Sequence, residues 1–205
     1  MRPISPASLV EELAERVARH PRGAWVRVLV DGAPPARPDL LADDLVEPLR
    51  VRGRAVRRVS AGDFLRAASL RLEYGRTDPD AFYDDWLDEG GLRREVLDPL
   101  SPGGTGRIVP SLWNSVTDRA TRAPYETLPE GGVLLLDGTL LLGRGLPAEL
   151  TVHLWLSRAA LTRRTDPGDA WRLPAYERYE REVAPAESAD VAVKTDDPRH
   201  PVLLR

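Results

Sequence analysis

The sequence predicts a three-layer α/β domain, a parallel sheet covered by helices on both faces. Three observations lead there. Short apolar runs alternate with helical segments along nearly the whole chain, which is the order of a doubly wound sheet. The strongest runs, "AWVRVLVD" (24–31) and "GVLLLDG" (132–138), are apolar almost throughout, as in strands buried on both faces. The length of 205 residues, with 42% hydrophobic and 30% charged, suits one such domain and is short for two.

Ser5 as N-cap, Pro6 in the first turn and a capping box from Ser8 to Glu11 open the first helix. It is expected to run to about His20, with Leu9, Leu13 and Val17 on one stripe. Residues 1–22 read as an N-terminal helix packed on a single domain of residues 23–205. Strand 24–31 follows, then a loop, helix 38–50 and a second strand, "AVRRVSA" (55–61). Segment 79–98 reads as two helical pieces, "PDAFYDDWLDE" and "LRREVLD", divided at Gly90-Gly91, and "SPGGTG" (101–106) is a loop. After strand 132–138 comes a fourth, "ELTVHLWL" (149–156), with His153 as a core residue. Helices near 157–164 and 171–184 follow, the second with Tyr176, Tyr179 and Val183 spaced to pack inward. The last strand is "ADVAVKT" (189–195). Ligands of such sheets bind beyond the carboxyl ends of the strands, where Gly32, Asp63 and Asp137 fall.

Composition narrows the chemistry. Without cysteine there is no disulfide framework, thiolate metal site or cysteine nucleophile. His20, His153 and His200 lack metal spacing, and no G-x-S-x-G elbow is present. No apolar run approaches the roughly 20 residues that span a bilayer. The N-terminal stretch has no apolar signal core, so a cytoplasmic protein without a membrane partner is expected. A net charge of −3 argues against a nucleic-acid partner. The basic run "LRVRGRAVRR" (49–58) has no interleaved aromatics and reads as a helix end and the solvated side of a strand.

Several landmarks occur in a meaningful order: "VLVDG" (28–32), "VSAGDF" (59–64), "FYDDW" (82–86), "LRREVLDPLSPGG" (92–104), "TD" (117–118), "LLLDG" (134–138) and "ADVAVKTDDPRHP" (189–201). From about Trp25 onward this order resembles the uridine kinase family of P-loop nucleoside kinases. The resemblance implies a P-loop kinase-like fold with a parallel five-stranded sheet, a nucleoside or nucleotide pocket over the strand ends, and a helical lid near 157–185. It also implies ATP and magnesium as cofactors if the chemistry survives.

Residues 32–39 occupy the place of the phosphate-binding pattern G-x-x-x-x-G-K-[ST]. Gly32 fits the first position, but Arg37, Pro38 and Asp39 stand where Gly, Lys and Ser/Thr belong. Phosphoryl transfer depends on positioning and charge stabilisation, so the donor phosphates need a cation and a metal ligand. Pro38 offers neither charge nor N–H, and Asp39 adds negative charge beside the expected phosphates. Lys194, the only lysine, lies far downstream. Two readings stand. Pro38 and Asp39 suit a helix that fills its own anion site, whereas Arg37 could serve as a replacement cation.

The resemblance also distributes candidate roles. Asp63 is the candidate base for the nucleoside hydroxyl, although Gly62 occupies the family's position and Asp63 follows one residue later; capping a turn is the alternative. The family's base-binding histidine is absent before Thr117-Asp118; Trp113 and Asn114 stand there instead, either to stack on and read a base, with Tyr83 as a further substrate contact, or with Trp113 as core or lid packing. Asp137 is either a carboxylate behind a magnesium ion or the turn ending a buried strand. Arg158, Arg163 and Arg164 lie on the lid helix, where with Gly32, Arg37 and Asp39 they would hold phosphate or nucleotide. Alternatively, these lid arginines pair with Asp166, Asp169, Glu177 and Glu180. The leading expectation is a uridine-kinase-like protein with lost or strongly altered ATP phosphotransfer and a pocket for a nucleotide, nucleoside or other anionic metabolite. An active atypical kinase using Arg37, Asp63 and Asp137, and a non-catalytic interaction protein, are the alternatives.

Overall fold

The apolar runs split cleanly between two cores. Along β2 (Val26–Gly32), Val26, Val28 and Val30 enter one hydrophobic cluster and Leu29 the other. Along β4 (Val133–Gly138), Val133 and Leu135 join the first cluster while Leu134 and Leu136 join the second. Side chains alternate across a strand, so a continuous apolar run is what a strand needs when both faces are covered.

The computed structural model describes residues 1–204. With β1 (Arg2–Pro3), β3 (Val56–Ser60), β5 (Leu150–Trp155), β6 (Val191–Lys194) and β7 (Val202–Leu203), the sheet order is β1-β7-β6-β5-β2-β4-β3. The five strands from β6 to β3 are mutually parallel. The expected five-stranded sheet therefore has seven strands, because β1 and β7 add an antiparallel edge beside β6. These two strands are two residues long each and leave no periodic trace in the sequence.

Helix α1 (Pro6–Ala18) starts where expected, with Ser5 Oγ accepting from the Ser8 amide at 3.1 Å. Its buried stripe of Leu9, Leu13, Ala14 and Val17 packs with Leu41, Ala42, Leu45 and Leu49 of α2 (Pro38–Val51) on one face of the sheet. The opposite face is covered by residues 61–108 and by α5 (Leu173–Glu182), which follows α4 (Arg158–Arg164). Tyr176 and Tyr179 of α5 are buried there as expected.

One boundary differs from the sequence expectation. Helix α3 (Pro79–Asp84) ends early, and Gly90-Gly91 lies inside a one-turn helix, Glu89–Leu92, instead of dividing two helices. Asp88 caps that turn by accepting from the Gly91 amide at 2.9 Å. A Cβ on Gly91 would meet Asp88 Oδ2 at 2.5 Å, so the glycine serves the cap and not a break.

The basic run on and after α2 is consumed in packing. Arg52 pairs with Glu11 at 2.6 Å and Arg57 with Glu126 at 2.9 Å. Arg54 is buried and donates to the Gly131 carbonyl at 2.9 Å and the Ala18 carbonyl at 3.2 Å. No helix among the described residues is long and apolar enough to cross a membrane.

Candidate functional site

The strand order places the crevice at the end of β2, between β4 on one side and β5 on the other, where a doubly wound sheet holds its ligands. Gly32 ends β2 because there is little room for more: a Cβ would sit 3.1 Å from the Cβ and carbonyl oxygen of Leu154. A 3₁₀ turn, Pro34–Ala36, then carries the chain into α2. Three prolines, at 34, 35 and 38, remove three backbone donors from this loop. The amides of Ala36 and Arg37 are spent inside it, on Ala33 O at 2.8 Å and Pro34 O at 3.0 Å. Arg37 turns the corner in the left-handed region, at φ 62°.

The Arg37 guanidinium folds onto Asp39, with Nε–Oδ1 at 2.9 Å and Nη2–Oδ2 at 2.8 Å. Arg37 holds the Asp39 carboxyl below its ordinary range, and the Leu40 and Asp39 amides assist. Its charge sits in the first turn of α2, where the helix dipole favours an anion. Arg37, the residue at the N-cap position, makes no side-chain cap bond.

Beneath the loop lies a network that the sequence reading passed over. Asp31, near the end of β2, has no exposed surface. Its Oδ1 accepts from the Leu141 amide at 2.9 Å, and its Oδ2 lies 2.7 Å from His153 Nδ1 and accepts from the Tyr179 hydroxyl at 3.0 Å. Tyr179 in turn accepts from the Leu142 amide at 2.9 Å. Burial and the Asp31 charge push the Tyr179 hydroxyl far above its ordinary value, so it remains a donor. Above this floor is a cavity of about 370 Å³, lined by Ala33, Thr139, His153, Leu156, Leu161 and Tyr176 among others. Its walls thus follow directly from the carboxyl ends of β2, β4 and β5.

On the other side of β2, β4 ends in Asp137, which is 3% exposed. Arg58 of β3 donates to it through Nε at 2.8 Å and reaches Asp43 of α2 at 2.9 Å. Burial raises the Asp137 carboxyl above its ordinary value, against the pull of Arg58. Asp63 is raised too, by burial first and by Asp137 second. A smaller cavity of about 170 Å³ opens among Pro34, Gly62, Phe82, Trp86, Leu140 and Arg172.

No family model matches the chain, and no curated protein matches it significantly. Solved structures do. A possible uridine kinase from Bacillus stearothermophilus superposes with a TM-score of 0.72 at 16% identity, covering 89% of this chain and 96% of that one. A candidate fructose transport system kinase from Silicibacter sp. TM1040 gives 0.63 at 18% identity, covering 88% and 96%. The YGR205w protein gives 0.60 at 10% identity, covering 93% of each. The chain has a P-loop kinase fold.

Residues 32–39 form the turn from β2 into α2, and the structure distributes the expected site residues unevenly around it. Arg37 is held by Asp39, Arg158 pairs with Glu177 at 2.7 Å, and Arg164 donates to the carbonyls of Thr195 at 2.9 Å and Asp196 at 2.5 Å. Arg163 is exposed. These four arginines line no common cavity. Asp63 and Gly62 lie on different sides: Gly62 lines the small cavity, and Asp63 faces a separate cleft with Arg58, Ser60 and Ser111. Residues Ala61–Phe64 form a 3₁₀ turn after β3, so successive side chains point about 120° apart and Asp63 is turned away from the Gly62 side.

Trp113 and Asn114 belong to a small hairpin with residues 119–120. The Trp113 indole donates to Asp118 at 3.0 Å, and Asn114 accepts from the amides of Val116 and Thr117. Tyr83 sits beneath Arg178, 4.2 Å from ring centroid to guanidinium, while its neighbours Phe82 and Trp86 face the cavity. Arg172 stacks among Phe82, Trp86 and Trp171 at 5.0–5.5 Å from their centroids. Asp137, the carboxylate offered to magnesium, is bound to Arg58. No group of three His, Asp or Glu side chains among the described residues is disposed to hold a metal. Asp137 and Asp39, the two carboxylates nearest the expected metal position, are both already bound to arginines, Arg58 and Arg37.

Proposed function

We propose that this P-loop-kinase-fold protein does not transfer phosphate from ATP and that its crevice binds a small molecule. The closed loop carries the reading. An anion cradle needs free amides pointing at one place, and in residues 32–39 prolines and internal hydrogen bonds have used most of them. The position expected to hold the cation is Pro38, and the position expected to hold the metal-binding hydroxyl is a carboxylate already paired with Arg37. With Gly62 at the expected base position, the donor, metal and acceptor sides all lack the group they need.

The small molecule is of nucleoside or nucleotide type, a reading supported by the similar fold of the possible uridine kinase. Among these, the uncharged member is favoured, because Arg37, Arg158 and Arg164 are already engaged. Incubating the purified protein with labelled ATP, magnesium, and uridine or cytidine is expected to give no labelled monophosphate above a protein-free blank. Turnover well above the blank that disappears in Asp137→Asn would overturn the proposal and favour the atypical kinase.

A further inference from the structure

The 370 Å³ cavity differs in chemistry from a phosphate site. Its volume falls in the range of small-molecule pockets, about 300–1,000 Å³. Four of its lining side chains are aromatic: His153, Trp155, Tyr176 and Tyr179. Ala33, Leu154, Leu156 and Leu161 supply most of the rest of the wall. The charges are at the rim or behind the floor. Arg158 is paired with Glu177 at 2.7 Å, and Glu180 and Arg181 are exposed beside them. Asp31 lies wholly buried behind His153, with three partners of its own.

Inside, the polar groups point to a specific kind of edge. The Tyr176 hydroxyl and Thr139 Oγ1 are buried against each other and have no other hydrogen-bond partner, so the pair keeps one hydroxyl proton without an acceptor. A buried hydroxyl in that state is costly, and a ligand polar atom would relieve the cost. His153 gives Nδ1 to Asp31 and so leaves Nε2 as the ring nitrogen available to the cavity, an acceptor in the neutral tautomer.

We infer that this cavity is a binding site for an uncharged, flat heteroaromatic ring of nucleobase size. One edge of the ring accepts from the Tyr176–Thr139 hydroxyl pair and donates to His153 Nε2, while the aromatic walls pack on its faces. An anion is disfavoured, since the lining arginines, Arg158 (paired with Glu177) and Arg181, are both exposed at the rim beside Glu177 and Glu180. The inference rests on the crevice being a ligand site; it does not depend on whether phosphate is transferred, so the labelled-ATP experiment and the following one fail separately.

Calorimetric titration with adenine and with uracil tests it, with benzoate and inorganic phosphate as charged comparisons. Saturable binding of at least one of the uncharged rings is expected, with neither anion binding. Tyr176→Phe, which keeps the ring and removes the unpartnered hydroxyl, should weaken that binding about five- to tenfold without lowering the melting temperature. Leu161→Trp, which fills the cavity from α4, should abolish it. The absence of binding by both rings, equal binding in wild type and both variants, or anion binding as tight as ring binding would each overturn the assignment.

Discussion

Asp31→Ala is expected to destabilise the protein by at least about 4 kcal/mol, because it orphans three donors at once in a site closed to water. Each buried donor left without an acceptor costs about 1–3 kcal/mol. Here the Leu141 amide, the Tyr179 hydroxyl and His153 Nδ1 all lose the same carboxylate. Asp31→Asn should cost less, since its amide oxygen can keep one of these bonds while its NH₂ faces another donor. Urea unfolding of the three proteins measures the differences. A loss below about 1 kcal/mol for the alanine variant would show that the network contributes little to holding β2, β5 and α5 together.

The second large effect is at the opposite wall of the crevice. Arg58→Leu leaves Asp137 buried without its partner, and breaking such a pair from one side costs about 3–5 kcal/mol. The lower end is expected, because the Arg58 side chain is 29% exposed and also serves Asp43. The pH dependence has a definite sign. Asp137 already titrates above an ordinary carboxyl because of burial, and losing Arg58 removes the group that opposes this. A carboxyl raised in the folded state binds its proton more tightly there than in the unfolded chain. Its penalty is therefore absent at low pH and grows as pH rises from the ordinary carboxylate range through the folded value. Arg58→Leu should accordingly lose more stability relative to wild type at pH 8 than at pH 5. Equal losses at both would show that Asp137 does not carry the penalty.

The parallel core was legible because its strands are long and buried on both faces, so their apolar runs announce them. The terminal strands β1 and β7 were not, since two-residue pairings depend on where tertiary packing brings the chain ends. In the crevice, the departure of Arg37, Pro38 and Asp39 from the phosphate-binding pattern was legible, because a fixed pattern can be laid over the sequence. The sequence concealed what the loop does instead. Nothing in the sequence singled out Asp31, and His153 read as a core histidine; only the β2–β5 pairing, which sets Asp31 opposite His153, joins them. The same limit applies to the aromatic residues. Tyr83 stood in the right landmark, yet the helical turn points Phe82 and Trp86 into the cavity and sends Tyr83 under Arg178.

The central claim, that residues 32–39 no longer hold phosphate, is tested most directly by titrating ATP with magnesium into the protein in a calorimeter. A ligand held by the folded state also raises its stability by about 2.7 kcal/mol at 100 times Kd, so thermal melts provide the same readout. The account predicts no saturable heat and no rise in melting temperature up to millimolar MgATP. Saturable binding in that range, weakened by substitutions within residues 32–39, would contradict it.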